Sequence, residues 1–281
     1  MGKGVDYSIL KELWEKNYTI TTQLYRNLQK WPDKPAIIDP LKRTMTFRQW
    51  DEEANQFAHA LLDAGCTTFD TVMGDLYNCC EWFTLYMGAA KARCIFASQN
   101  FMLPEGQVSR LMDDSEVKVF VYDAGMKNMV VNAVALCKTK PRVCVMVGAG
   151  EVPAGHVSYE KFIEGKPKTA PATEKDVKMF DPVLLLYTSG TTGLPKGFTL
   201  SQACIFFDCM MNAGLHKIDS QCVSLATNPL FHRGGNTTGP VCLLHCGGSV
   251  VIMKAFDDNL ALDLYENIRN SLFFWHVSFN N

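Results

Sequence analysis

An α/β architecture, with mainly parallel sheets flanked by helices, is what the sequence predicts. Two observations carry that prediction. Strand and helix signals alternate along nearly the whole chain, the pattern of βα units in series. The composition, 47% hydrophobic and 20% charged over 281 residues, supplies enough apolar surface for a real core and excludes a disordered tail or a fibrous repeat.

Residues 1–17 read as an N-terminal extension. Lys3, Asp6, Lys11 and Glu12 leave no apolar segment there, which argues against a secretory signal. Asp6 stands where a myristoylation motif on Gly2 wants Ser or Thr. A first α/β subdomain is expected over 18–163. Thr46 and Gln49 fit a capping box. Trp50, Ala54, Phe57, Ala58, Leu61 and Leu62 follow at helical spacing, and Gly65 is a C-terminal stop. Strand Val72 to Leu76, helix Glu81 to Lys91 and a short buried strand Cys94 to Ala97 come next. Pro104 opens a helix, since its missing N–H costs nothing there. Strand Val117 to Tyr122, helix Met126 to Cys137 and strand Arg142 to Val147 complete this part.

Residues 164–176 (EGKPKTAPATEKD) break the rhythm and read as a surface linker between two subdomains. The second subdomain, 177–281, holds strand Val183 to Tyr187, a loop, helix Ala203 to Leu215 and strand Cys222 to Ala226. A Gly-rich turn, strand Ser249 to Met253 and helix Leu260 to Arg269 follow.

Lys and Arg total 27 against 29 Asp and Glu, a net charge of −2, which gives no electrostatic footprint for nucleic acid. No apolar stretch reaches the roughly 18 residues of a membrane span. Val241 to Met253 is the richest and is interrupted by His245, Gly247 and Gly248. Eleven scattered cysteines without a Cys-x-x-Cys pair read as reduced, partly buried thiols rather than a disulfide framework. Cys242, His245 and Cys246 lack a second ligand pair, so no metal site is expected. An intracellular, cytoplasmic protein is the expectation; peripheral contact with a membrane stays open.

Chemistry concentrates in Tyr187-Thr188-Ser189-Gly190-Thr191-Thr192-Gly193-Leu194-Pro195-Lys196-Gly197, which follows the apolar run Leu184-Leu185-Leu186. Glycines let backbone N–H groups approach an anion, hydroxyls donate to phosphate oxygens, and the lysine supplies a point charge. That set suits a polyphosphate tail. It is not a Walker A loop, because Pro195 precedes the lysine and Gly197 follows it.

With the strand before it, this segment resembles the signature of the adenylate-forming superfamily, and most of all its AMP-dependent acyl-CoA synthetases. The likeness extends through Pro32-Asp33-Lys34-Pro35-Ala36, Thr46-Phe47, Asn78 and Glu81-Trp82-Phe83. It continues in Asn228-Pro229-Leu230-Phe231-His232-Arg233-Gly234-Gly235, Gly247-Gly248-Ser249-Val250-Val251 and Phe256-Asp257, and so covers roughly residues 18 to 270. The fold it implies is the large N-terminal domain of that superfamily. The activity it implies is a two-step ligation. A carboxylate attacks the α-phosphate of ATP with Mg²⁺ assistance, releasing pyrophosphate, and coenzyme A then displaces AMP from the acyl-adenylate. By position, Thr188, Ser189, Gly190, Thr191, Thr192, Gly193 and Lys196 would hold the β- and γ-phosphates. His232 would border the acyl pocket, or alternatively cap a helix or sit satisfied in the core. Phe231, Gly234 and Gly235 would shape the pocket floor, the glycines leaving room for ligand. His216, His245 and His276 have no motif around them and read as structural. A fatty acid is the expected substrate, with aryl acids behind it.

The chain also departs from that pattern. The family's Tyr-Gly-x-Thr-Glu and Tyr-x-Thr-Gly-Asp strings, and the C-terminal lid with its catalytic lysine, have no counterpart in these 281 residues. The expectation is therefore a truncated domain with no complete catalytic set, which does not exchange pyrophosphate by itself. The competing reading is a non-catalytic fragment or isoform that binds nucleotide or protein. Upstream, Ser98-Gln99-Asn100 replaces a Pro-Leu-Asn and Phe69-Asp70-Thr71-Val72 replaces a Gly-Asp-x-Val. Both changes read as matters of scaffold rather than chemistry.

Overall fold

Local chemistry sets the helix starts. Thr19 and Thr22 form a capping box before α1 (Ile20–Lys30). Thr46 and Gln49 form a second one before α2 (Phe47–Asp63), as the sequence predicts. Gly65, at φ +81°, stops α2 in the left-handed conformation that a side chain resists. The computed structural model describes residues 17–188 and 195–267.

Two sheets result. The smaller has the order β10-β11-β1-β2, from Val223–Ala226, Ser249–Ile252, Pro35–Ile38 and Thr44–Thr46; it is parallel except for the β1/β2 pair. The larger has the order β7-β6-β5-β3-β4-β8-β9. Its strands are β3 (Thr71–Asp75), β4 (Ile95–Ser98), β5 (Val119–Asp123), β6 (Val143–Val147), β7 (Val157–Ser158), β8 (Pro182–Thr188) and β9 (Lys196–Ser201). It is parallel apart from the β8/β9 hairpin. The central strands β3 and β5 are buried at every residue, as expected for a sheet covered on both faces.

Helices α2 and α3 (Cys80–Lys91) form the layer between the sheets. Trp82, Phe57 and Phe83 are buried there. Trp82 Nε1 donates to Ser98 Oγ at 2.8 Å, so the indole's polar end is satisfied. On the outer face of the large sheet, α4 (Glu105–Asp114) and α5 (Lys127–Leu136) cover Met73, Phe120 and Tyr122. Pro104 occupies the N-cap of α4 rather than its first helical position. The remaining helices are α6 (Tyr159–Ile163), α7 (Gln202–His216), α8 (Arg233–Asn236), α9 (Pro240–His245) and α10 (Asp258–Asn267). Among the described residues, no helix is long and apolar enough to cross a membrane.

Two sequence expectations change. Strand β9 lies where the sequence reads as loop, and it pairs antiparallel with β8 to form a hairpin. Residues 164–176 do not run free between subdomains. They strap across α2 and α3: Asn55 Nδ2 donates to the Lys168 carbonyl at 2.8 Å, and Thr173 Oγ1 donates to the Lys91 carbonyl at 2.8 Å. The buried Lys91 ammonium ties the strap down, pairing with Asp51 at 2.7 Å and Glu174 at 3.1 Å. Both sheets take strands from either side of this segment, so it separates neither from the other.

Candidate functional site

The hairpin register fixes one half of the site. Leu184 faces Leu200, and Thr188 lies directly opposite Lys196, so these two residues close the stem of the loop. Thr188 Oγ1 donates to the Lys196 carbonyl at 3.3 Å, and both residues are exposed. The Lys196 ammonium has no ion-pair or hydrogen-bond partner among the described residues, which leaves its charge available to an anion. Ser189, Gly190, Thr191, Thr192 and Gly193 lie outside the described residues. Tyr187 braces the stem: its hydroxyl donates to Asp114 Oδ2 at 3.0 Å, and burial pushes the phenol up to about 12, so it stays a neutral donor.

The second half is the turn after β10. Asn78, buried just beyond β3, holds it with one side chain. Its Nδ2 donates to the Asn228 carbonyl at 3.0 Å and approaches that of Ala226 at 3.4 Å, while its Oδ1 accepts from Leu230 N at 2.9 Å. Asn236 Nδ2 closes the turn on the Leu230 carbonyl at 2.8 Å. His232 is the N-cap of α8, and its Nδ1 accepts from Gly234 N at 3.2 Å. That bond assigns the proton of the neutral ring to Nε2, making it a donor.

A cavity of about 420 Å³ lies between hairpin and turn, a size suited to a small ligand. Of the residues singled out from sequence, Thr188, Phe231 and His232 line it, whereas Lys196, Gly234 and Gly235 do not. Gly235 is there for a different reason from leaving ligand room. A Cβ on it would collide with the backbone carbonyl of Pro229, so glycine lets α8 fold back on its own turn. Phe231 is fixed edge-on against Phe101, with ring centroids 5.2 Å apart.

Sequence reasoning missed much of the wall. Leu103, Leu111, Leu186 and Phe198 give it an apolar side, and Ser98, Gln99 and Asn100 give it a polar one. In sequence the last three depart from the family pattern and read as scaffold. The structure puts them on the cavity because β4 ends there, beside β8. Among the described residues no carboxylate lines the cavity, and Arg233 adds a cation to its wall.

Among the described residues no group of three or more His, Cys, Asp or Glu side chains is placed to hold a metal ion. In the Cys242, His245 and Cys246 cluster, Cys242 Sγ donates to the Cys209 carbonyl at 3.2 Å. Burial holds the His245 imidazole down to about 4, hence neutral.

Comparison with known proteins gives a consistent answer. The chain is 28% identical over 252 residues to an indoleacetate–CoA ligase of Aromatoleum aromaticum, covering 87% of this chain and 48% of that protein. It is 30% identical over 246 residues to a fatty acid–[acyl-carrier-protein] ligase of Streptomyces coeruleorubidus, covering 85% and 44%. The chain thus spans about half the length of the curated relatives it matches. Among solved structures, an anthranilate CoA ligase in complex with anthranoyl-AMP superposes with a TM-score of 0.81 at 24% identity, covering 88% of this chain and 47% of the other. That superposition bears on fold alone, and the fold it shares is the one built above from two sheets with helices between. The AMP-binding enzyme family description matches residues 24–275, which contain the hairpin, the turn and the cavity between them, and the chain belongs to that family.

Proposed function

We propose that this chain contributes the nucleotide- and acid-binding part of an AMP-forming acid–thiol ligase, which activates a carboxylic acid with ATP and passes the acyl group to coenzyme A. The observation that carries the reading is the juxtaposition of Lys196, exposed and without a partner among the described residues, with a largely apolar cavity that reaches His232. In the first step a carboxylate oxygen bonds to the α-phosphorus of ATP and the bond to pyrophosphate breaks. In the second, the thiol sulfur bonds to the acyl carbon, AMP leaves, and the thiol proton is released.

Roles follow from chemistry. Thr188 and Lys196, with Ser189, Gly190, Thr191, Thr192 and Gly193 of the same loop, hold the β- and γ-phosphates and orient the α-phosphate for in-line attack. His232, as an Nε2–H donor, steadies an oxygen at the junction of acid and phosphate. Phe231 and the leucine side of the cavity exclude water and take up the acid's tail. That wall favours a fatty acid, with an aryl acid as the second reading, supported by the indoleacetate–CoA ligase among the relatives. Mg²⁺ would neutralise the phosphates when it accompanies ATP. Among the described residues no carboxylate lines the cavity, and no step here is routed through the ion.

Replacing the lysine tests the phosphate assignment. Lys196→Ala is expected to weaken ATP binding by about 1.5–3 kcal/mol, the worth of one charge-assisted contact, in a calorimetric titration of the full chain. Unchanged affinity would remove the hairpin from the nucleotide site. ATP–pyrophosphate exchange with a panel of fatty and aryl acids tests the chemistry. These 281 residues, lacking the Tyr-Gly-x-Thr-Glu and Tyr-x-Thr-Gly-Asp strings, are expected to bind without exchanging.

A further inference from the structure

Cys66 follows α2 and Cys94 follows α3, each where the chain turns into its strand, β3 and β4 respectively. The two approaches are laced together. Phe69 N donates to the Arg93 carbonyl at 2.7 Å, and Ile95 N donates to the Asp70 carbonyl at 3.0 Å. Phe69 and Arg93 both adopt left-handed backbone, φ +70° and +57°, and the Arg93 guanidinium lies over the Phe69 ring at 5.4 Å. Cys94 Sγ donates to the carbonyl of Thr67, the residue after Cys66, at 3.7 Å. The two thiols also interact with each other. All of this lies at the start of β4, whereas the cavity lies at its other end, Ser98.

The two thiols differ in character. Interaction with Cys94 holds the Cys66 thiol below its ordinary value, and the charges of Arg142 and Lys118 help, against burial and Asp70. Arg142 is fixed there by donating to the Gly65 carbonyl. The same interaction, with burial, pushes Cys94 up. Burial also pushes up Cys79, Cys80 and Cys144, which suppresses their thiolates. Cys66 is 4% exposed, but Gly65, Thr67 and Thr68 around it are exposed, so it lies one layer beneath solvent. Cys94 is fully buried behind it. A thiolate-forming cysteine in front of a protonated one is the arrangement of an attacking and a resolving thiol.

We infer that Cys66 and Cys94 are an oxidisable pair, which a peroxide closes into a disulfide that staples the entry of β3 to the entry of β4. The Cys66 thiolate sulfur attacks one peroxide oxygen, the O–O bond breaks, and the leaving hydroxide takes up a proton to become water. Cys66 is then a sulfenic acid. The Cys94 sulfur bonds to the sulfenic sulfur, and its proton leaves with the hydroxyl as a second water. The thiols lose two electrons and the peroxide gains them. A dithiol reverses the bond by exchange. The loop it closes contains the whole of β3 and α3, so it restricts the unfolded chain.

The test is peptide mapping of the full chain by mass spectrometry, without reductant, after a small excess of hydrogen peroxide. The expected result is a peptide pair joined through Cys66 and Cys94, which dithiothreitol separates. The oxidised chain is expected to melt roughly 6–12 °C higher than the reduced one, the effect of closing a loop of this length, and dithiothreitol is expected to remove the rise. Cys94→Ser takes away the resolving thiol, and dimedone is expected to trap the sulfenic acid on Cys66 in that variant. Cys204→Ser, which removes an exposed thiol at the start of α7, is expected to leave the coupling intact. The map of the unaltered chain decides the matter even where Cys94→Ser does not fold. Cys66 and Cys94 both free to alkylate after peroxide overturn the inference. So does Cys66 joined to another cysteine, or carried on to sulfinic acid while Cys94 stays free. A bond that forms without raising the melting midpoint also overturns it, since closure would then strain the fold instead of stapling it.

Discussion

Asn78→Ala is expected to lower stability by about 2–5 kcal/mol and to abolish binding in the cavity. The asparagine ties the segment after β3 of the large sheet to the turn after β10 of the small one, through Asn228, Leu230 and a longer contact to Ala226. Alanine leaves the buried Leu230 N–H and the part-buried Asn228 carbonyl without their partner, together worth about 2–5 kcal/mol. The turn carries Phe231 and His232, so its displacement also opens the cavity wall. Asn78→Asp keeps an acceptor for Leu230 N but sets a carboxylate oxygen against the Asn228 and Ala226 carbonyls, and so is expected to be destabilised as well. Denaturant melts with acid titrations of the three proteins check this. Wild-type binding by a destabilised Asn78→Ala protein would show that the turn holds its shape without the asparagine.

Asp75→Asn is expected to stabilise the protein at alkaline pH and to change little in acid. Asp75 ends the central strand β3, is fully buried, and neither carboxylate oxygen has a hydrogen-bond partner. Burial, with a smaller push from the charge of Asp123, raises its carboxyl to about 7 from an ordinary 3.8. The direction of linkage follows from proton counting. Between those two values the folded protein holds a proton that the unfolded chain has lost, so stability falls as pH rises from about 4. The penalty is complete above about 7, on the order of 4 kcal/mol for a shift of that size. Asparagine resembles the protonated acid and does not ionise. The variant and wild type should therefore have matching denaturation midpoints near pH 4 and diverge by pH 8, with the variant the more stable. Parallel curves across that range would mean that Asp75 ionises in the fold without cost. The setting explains the sensitivity: Asp123 also pairs with Lys254 at 3.7 Å, which links the large sheet to the segment after β11.

Features set by neighbours in sequence were the legible ones. The Thr46/Gln49 capping box, the apolar face of α2 and the stop at Gly65 all depend on residues within a turn or two of one another. So does His232, where one of the alternatives raised from sequence, a helix cap, coexists with a place on the cavity wall. Features set by distant partners were not legible. Strand β9 exists because Phe198 and Leu200 find Leu186 and Leu184 across a hairpin, and its own short sequence looks like loop. Helix α9 hides in an apolar run that also contains β11, where periodicity does not tell helix from buried strand. The strap at 164–176 has a linker's composition. It packs only because Lys91, from a helix far back in the chain, needs carboxylates for its buried charge. Ser98 and Gln99 were noticed as unusual, but only the pairing of β4 with β8 reveals that they face a cavity.

In the proposed function, nucleotide and acid meet between the β8–β9 hairpin and the turn at 228–236. Amide hydrogen exchange of the full chain, free and with ATP and then with an acid, tests it most directly. Slowed exchange is expected in peptides spanning 182–201 on adding ATP, extending to 228–236 and the end of β4 on adding acid. Protection confined to other parts of the chain, or none at ligand concentrations where calorimetry shows binding, would contradict it.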